Sequence, residues 1–392
     1  MNAPAPRHVT LVLCRRDGDV LGRLDPFEVE SPWWMEVEPV VDACVARHGV
    51  RPVVLRLLDA VSRPHGGAVT YLAEVDQVPG SLHPWDGQLR DHPLRAPYAR
   101  PGGPAADLAW AADALAATGR RPTADPRQIR TWNLSSLWRL PTDAGPVWLK
   151  CVPSFFAHEA AVMEVLADQA VPPLVDGEPG RSLLDHVEGV DGYDADVAGW
   201  RTHVDTLVGI QLAAVERPDE LTASGVPARS LAELVGRLRE VVARWAPELE
   251  PAVVDRLGAV LDRADSVIDL VLELAPITTL VHGDAHPGNG RFHGGRVTIL
   301  DWGDSFVGHP LLDLSVGEAY HAELAPAVVD LWLERWRHAG LARVDEAWDA
   351  LRPLAHLRTA AVFQDFFDGI EPDERRYHEH DLVPELVRAA NG

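Results

Sequence analysis

The chain has 392 residues, 46% hydrophobic and 24% charged, with a formal net charge of -23. That length exceeds one ordinary core and predicts two or three soluble globular domains. The acidic balance argues against nucleic acid or an anionic membrane as partner, since both need a basic face, and is compatible with a cationic small molecule.

No run of ~18 apolar residues is present, so no membrane span is expected. The first residues hold too short an apolar run for a secretory leader. Cys14, Cys44 and Cys151 have neither the spacing of a disulfide framework nor that of a zinc site. The expected location is a reducing cytoplasm.

In chain order, "VTLVLC" (9–14) reads as a strand. "WWMEVEPVVDACVARHG" has helical spacing and ends on Gly49, a plausible C-cap. "VVLRLLD" and "AVTYLAEVD" read as further strands, giving a small α/β unit over 1–100. Residues 77–104 are rich in Pro, Gly and His and read as a loop. "AADLAWAADALAAT" is a helix, which "GRRPTADP" breaks, so 101–127 is a helix and linker.

A second unit begins near 128. "IRTWNLSSLWRL" and "PVWLKCV" read as two strands about the turn "PTDAG", followed by the helix "FAHEAAVMEVLADQ" and the short strands "VPPLV" and "SLLDHVEG". From 189 onward the chain is mostly helical, with stretches at 194–217, 229–245 and 250–274. It is interrupted by one β island, "ITTLVHGDAHPGNGRFHGGRVTILDW", in which Gly294-Gly295 signals a hairpin turn. Helices resume at about 312.

Composition singles out two residue types. Lys150 is the only lysine among 36 basic residues, and Asn133 and Asn289 are the only asparagines outside the terminal tails. A compact ammonium is not interchangeable with a guanidinium, so survival of one lysine in an arginine-biased chain hints at chemistry.

The β island carries the densest cluster of reactive types. Asp284, Asn289 and Asp301 are expected at two ends of one short β-meander, close enough to act together. Oxygen-rich side chains of this kind suit Mg²⁺, and a free carboxylate suits a general base. The pattern His-x-Asp-x-x-x-x-Asn followed by Asp-aromatic-Gly is the one protein kinases use, here His282, Asp284, Asn289 and Asp301-Trp302-Gly303. That logic asks for a lysine on an early strand and a Glu on the next helix. Lys150 and Glu159 meet it, with Glu164 as the competing acid. "TWNLSSLWRL" stands where kinases carry a glycine-rich loop; Asn133, Ser135 and Ser136 supply polar donors there instead. No Walker-type phosphate loop occurs.

With "HGDAHPGN" and "ILDWGDSFVGHPLLDLS" in place, residues 128–392 resemble the aminoglycoside phosphotransferase family, which includes choline kinase-like small-molecule kinases. The resemblance implies an α+β, protein-kinase-like bilobal fold, with a small β-rich lobe at 128–188 and a mostly helical lobe at 189–392. It implies transfer of the γ-phosphoryl group of ATP or GTP, with Mg²⁺, to a small-molecule hydroxyl. Asp284 would be the base, Asn289 and Asp301 the metal ligands, and Lys150 and Glu159 the phosphate-gripping pair. Asp185, His186 and Val187 would face the adenine. His286 lies beside the base, Asp313 would brace the loop, and His282 and Asp313 are structural in this reading. Asp304, Gln364, Asp365 and Asp368 would touch the acceptor, as part of an acidic floor suited to an aminoglycoside or another amine, with His356 and Arg358 on the same helix; an ordinary surface helix, with Asp304 a solvated turn residue, is the other reading of these positions. A metabolic kinase for choline, ethanolamine, homoserine or a sugar fits the same motifs, and a non-catalytic nucleotide-binding scaffold is the third reading. The N-terminal unit faintly resembles a Nudix fold. Asp42-Ala43 and Ala46-Arg47 stand where its catalytic helix needs acids, so no hydrolase activity is expected of it and a role as a cap or homodimer surface is.

Overall fold

A computed structural model describes residues 5–61 and 65–391. The chain forms two compact units. One comprises Met1–Ala157, Val175–His186 and Phe366–His380; the other comprises His158–Leu174, Val187–Asp365 and Asp381–Gly392.

The first unit opens with β1 (Arg7–Cys14), β2 (Val20–Arg23), β3 (Phe27–Val29), α1 (Glu38–His48), β4 (Val53–Ala60) and β5 (Gly67–Glu74). Their sheet runs β2-β1-β5-β4, with β1 parallel to β5 and β3 paired to β1. Helix α1 ends where expected: Gly49 is left-handed at φ 68° and its N–H caps the Val45 carbonyl. Arg7 is fully buried yet satisfied, donating to the carbonyls of Ser31 and Glu36 at 2.7 and 2.8 Å and to the Tyr71 hydroxyl at 3.1 Å. Hydrogen bonds to neutral acceptors satisfy this buried guanidinium and fix the chain between β3 and α1.

Helix α2 (Gly103–Ala117) then leads to β6 (Arg127–Thr131), β7 (Ser136–Thr142) and β8 (Gly145–Cys151). In the second unit α3 (Glu159–Val165) follows, before β9 (Leu174–Glu178) and β10 (Arg181–Asp185) complete a sheet in the order β6-β7-β8-β10-β9. The expected single run "IRTWNLSSLWRL" is therefore two strands, β6 and β7, about a tight turn at Trp132–Ser135. Within this first unit the two sheets are stitched together. The Val37 N–H bonds Ile129 O at 3.1 Å, and the Gln128 side chain bonds both N and O of Val54. The first boundary between the compact units falls between Ala157 and His158.

The second unit continues with β11 (Val190–Asp191), α4 (Val197–Ala214), α5 (Pro218–Ala223), α6 (Leu231–Trp245), α7 (Pro251–Asp262) and α8 (Ala264–Leu274). Ser230 starts α6 with a capping box closed by Glu233. Four short strands follow, β12 (Thr279–Val281), β13 (Gly290–His293), β14 (Arg296–Ile299) and β15 (Phe306–Gly308), then α9 (Leu311–Tyr320), α10 (Ala325–His338), α11 (Val344–Gly369), whose residues from Phe366 on count with the first unit, and α12 (Leu382–Asn391). The hairpin β13–β14 turns on Gly294 and Gly295, both at positive φ, 56° and 75°. The expected meander is corrected: β12 pairs with β15 in a separate two-stranded sheet, while β13 pairs with β11 and β14. The loop from 282 to 289 therefore crosses from one small sheet to the other.

Candidate active site

Strand β12 is wholly buried and delivers the chain to His282. The next turn is fixed from below. Asp313, buried in the first turn of α9, accepts the backbone N–H of His282 and of Gly283, each at 2.8 Å. Gln211 of α4 donates to the same carboxylate at 2.8 Å. Burial pushes the Asp313 carboxyl above its usual range; the charge of His282 and the two backbone N–H bonds oppose that shift. Gly283 sits at φ 91°, and a Cβ there would lie 2.3 Å from the Asp304 carbonyl oxygen, so only glycine fits.

The same loop presents Asp284. Its N–H donates to His282 Nδ1 at 3.2 Å, and its Oδ2 accepts from Asn289 Nδ2 at 2.8 Å. His286 Nε2 lies 3.4 Å from that oxygen. The carboxylate keeps 46% of its side-chain surface exposed. Desolvation by the surrounding protein raises its pKa, but the His286 hydrogen bond, the charges of His286 and His282, and the Asn289 hydrogen bond outweigh it and bring the group to about 2. Asp284 is thus an ionised acceptor at neutral pH, aimed by three neighbours. His282 is fully buried, its Nε2 bonds Leu300 O at 2.9 Å, and its ring packs 4.6 Å from that of Trp302. His286 stacks on Tyr320 at 4.4 Å.

Asn289 closes the loop and ties it to Leu300, the residue before Asp301. The Leu300 N–H bonds Asn289 O at 2.8 Å, which brings the end of β14 beside the loop. Asp301 is exposed, and it is the one non-glycine residue at positive φ (62°) among the described residues. A left-handed aspartate is tolerated but costs free energy, and such positions concentrate at functional sites. The amide nitrogen of Asn289 faces Asp284, so its amide oxygen is left for another partner. That oxygen and the Asp301 carboxylate are hard donors, as Mg²⁺ requires, and an ion that retains waters and takes phosphate oxygens needs few protein ligands. Among the described residues no group of three His, Cys, Asp or Glu forms a denser metal site. The donor set fits magnesium.

Glu159 begins α3, is 3% exposed, and accepts the Trp302 N–H at 3.2 Å. Glu164, the competing acid, is exposed. In the first unit, Lys150 lies on β8 opposite Leu137 of β7 and Ser182 of β10. Ser135 accepts the Trp132 indole N–H at 3.0 Å. Ser136 is fully buried, so its hydroxyl is not offered at the surface; this corrects its expected place as a phosphate donor. Asn133 is buried too, bonding Glu374 O at 3.3 Å. Asp185 pairs with Arg120, and His186 accepts the Trp148 indole N–H at 3.0 Å. Val187 begins the next segment of the second unit.

The expected acidic floor is not assembled on α11. Gln364 is buried and accepts the Trp245 indole N–H at 2.7 Å. Asp365 is neutralised by Arg237 at 2.7 Å and Arg229 at 3.5 Å. Asp368 is exposed and belongs to the first unit. His356 bonds Glu318 at 2.7 Å. Asp304 stands against Gly283 through its backbone. Sequence reasoning missed Arg229, Arg237, Gln211 and Phe306. It named Arg358 only as a face residue, whereas Arg358 is 4% exposed and donates to Gly283 O at 2.5 Å. No motif marks these positions.

The loop, its bracing acid and the hairpin-borne aspartate define a kinase-like phosphotransferase, and comparison with known families agrees. The sequence model of the phosphotransferase enzyme family (APH) matches residues 135–354, and the chain belongs to that family. It is a small-molecule phosphotransferase. No curated protein matches the chain. Among solved structures, it is similar to a type I macrolide 2'-phosphotransferase, with 16% identity, 72% of this chain and 96% of that one covered, and a TM-score of 0.50. A macrolide 2'-phosphotransferase, MphH, from Brachybacterium faecium is 21% identical over 73% of this chain and 98% of its own, with a TM-score of 0.48. Choline kinase from Cryptosporidium parvum is 10% identical over 68% and 88%, with a TM-score of 0.49. At these identities the likeness speaks for the fold alone, which is α+β and protein-kinase-like.

Proposed function

We propose that this enzyme transfers the γ-phosphoryl group of ATP or GTP to a hydroxyl of a small molecule, with Asp284 as the base. The observation that carries this is the Asp284 carboxylate itself, half-exposed, ionised and held by Asn289 and His286 on a loop clamped by Asp313. In that role Asp284 accepts the hydroxyl proton as the oxygen attacks phosphorus, and its aim matters more than its basicity. Asn289 and Asp301 would hold Mg²⁺, which when bound offsets charge on the nucleotide phosphates. Lys150 would bind the phosphates as a point charge, with Glu159 as its orienting acid. Ser135, Asp185, His186 and Val187 would border the nucleotide. His286 would touch the acceptor.

Acceptors to be compared are aminoglycosides, macrolides, amino sugars, choline, ethanolamine and homoserine. A setting in the cytoplasm is part of the proposal: Cys14, Cys44 and Cys151 are all buried free thiols. No described helix is long and apolar enough to cross a membrane.

The test is ADP or GDP release with Mg²⁺ across that panel, for the wild type and Asp284→Asn. Acceptor-dependent release present in the first and absent from the second supports the assignment. Wild-type turnover by the variant removes Asp284 from the chemistry, and a chain that binds magnesium nucleotide but releases no product with any acceptor returns the reading to a scaffold.

A further inference from the structure

A cavity in the second unit is connected to the active-site loop through Arg358, which lines it and bonds Gly283 O. Its volume is about 290 Å³, and its lining includes Arg229, Arg237, Phe306, Arg358, Ala361 and Asp365. The charge of this lining runs against that of the chain. Three arginines (Arg229, Arg237, Arg358) and two acids (Glu233, Asp365) line it, a formal balance of +1 in a protein of net charge -23, with Arg237 also paired to Glu240 at 3.2 Å outside the lining. Glu233 is already committed, its carboxylate accepting from the Ser230 N–H and hydroxyl in the α6 capping box.

The guanidinium groups are arranged around an apolar body. The Phe306 ring has Arg229 at 5.5 Å and Arg358 at 5.9 Å from its centroid. Leucine, valine and alanine side chains complete the wall. Arg358 is the most constrained of the three. It is 4% exposed, one of its terminal nitrogens bonds Gly283 O at 2.5 Å, and its Nε has no hydrogen-bond partner among the described residues. A buried, charged N–H with no acceptor is rare in folded proteins and is met by a ligand oxygen more favourably than by apolar contact. Gly283 is the chain neighbour of Asp284, so Arg358 joins the wall of this cavity to the loop that carries the base.

We infer that this cavity takes a carboxylate of the acceptor, with an apolar body against Phe306, so that the enzyme phosphorylates a hydroxy acid of partly apolar character rather than a polycationic aminoglycoside. The planar fork of a guanidinium matches a carboxylate with two parallel N–H···O bonds, and Arg229 and Arg358 flank the space where the group would sit. An ammonium group would meet the opposite preference there, since the lining offers it one carboxylate that two arginines already occupy. This inference rests on the kinase reading of the same loop.

The test uses matched probes with one apolar body: 4-phenylbutyrate, its primary amide, the corresponding amine, and a phenylalkyl phosphate. Binding is followed by calorimetry on the full chain, wild type and Arg229→Ala. Phosphorylation of 3-hydroxy-3-phenylpropanoate and of its methyl ester is followed in parallel by ADP release. The expected result is that the carboxylate binds at least tenfold more tightly than the amide and the phosphate. The amine binds weakest, and Arg229→Ala weakens the carboxylate about ten- to a hundredfold while leaving the amide unchanged. The acid is also the better acceptor by kcat/KM. Equal binding of acid and amide, preference for the amine, or indifference to Arg229→Ala overturns the inference; preference for the phosphate overturns its choice of carboxylate. Arg237→Ala serves as the second variant should Arg229→Ala unfold. Failure of the kinase reading looks different: probe binding stays charge-dependent, but the chain binds no magnesium nucleotide and releases no ADP with any acceptor.

Discussion

Asp313 holds His282 through the backbone rather than through the imidazole: its carboxylate accepts the N–H of His282 and of Gly283, both at 2.8 Å. Gln211 fills a third acceptor position on the same group. The turn that aims Asp284 is therefore set by a residue some thirty positions later in the chain. Asp313→Ala leaves two buried N–H groups without an acceptor, each costing ~1–3 kcal/mol, so a loss of about 3 kcal/mol is expected. Asp313→Asn places an amide nitrogen where one N–H needs an oxygen and loses about half as much. Urea denaturation measures both. An unchanged midpoint for the alanine variant would show that the brace does not contribute to stability.

Asp284→Asn keeps the shape of the loop while removing the negative charge. A positioned general base contributes roughly 10²–10⁴ in rate. Loss of that order in kcat is expected, with nucleotide affinity within about twofold of the wild type, as read by calorimetry. The same charge has a stability signature. The group titrates at about 2 in the folded chain, below the unfolded value near 3.9, so its contribution is complete above that unfolded value and disappears as pH falls through 2. Between pH 5 and 8 Asp284 stays ionised, and any acid limb of the rate profile in that range belongs to another group.

Asp301 pits stability against function. Its left-handed backbone, φ 62°, costs a non-glycine residue of order 1 kcal/mol, and glycine adopts it freely. Asp301→Gly is therefore expected to hold or raise the melting temperature while lowering magnesium-dependent turnover at least a hundredfold. Asp301→Val, with the same loss of carboxylate and a branched Cβ, is expected to melt lower than both. If glycine instead destabilises the chain as much as valine, the backbone argument fails and the side chain is the stabilising element.

Much of this site was legible because its spacing is local. The run from His282 to Asn289, the Gly294-Gly295 hairpin and the Gly49 cap depend on residues a few positions apart, and scarcity alone drew attention to Lys150 and Asn289. What escaped was set by distant partners. β15 is three residues long and carries no period, so its pairing with β12 in place of the expected meander follows only from burial of both strands. The Trp132–Ser135 turn contains neither glycine nor proline, and so it read as continuous strand. Arg358 and Gln211 sit on helices among ordinary polar residues; only the fold brings the first to Gly283 and the second to Asp313. The expected acidic floor failed for the same reason, since Asp365 is drawn to arginines on another segment.

In the first unit, Glu374 is buried within the segment that holds Asn133. It is 4% exposed, its Oε1 has no hydrogen-bond partner among the described residues, and the Arg95–Glu371 ion pair at 2.5 Å belongs to the same cluster. Burial above all, then the negative charge of Glu371, pushes its carboxyl up to about 8, against the opposing charge of Arg56 and the Leu57 N–H. The sign follows. Between the unfolded value near 4.3 and about 8 the folded chain binds the extra proton, so stability falls as pH rises through that window and levels above it. Glu374→Gln keeps an acceptor for Leu57 and cannot ionise. Its melting temperature is expected to match that of the wild type near pH 5 and to exceed it by several degrees at pH 8, in thermal denaturation at fixed ionic strength. Parallel curves for the two proteins across that range would mean that Glu374 is ionised throughout and that Arg56 and Arg95 neutralise it in place.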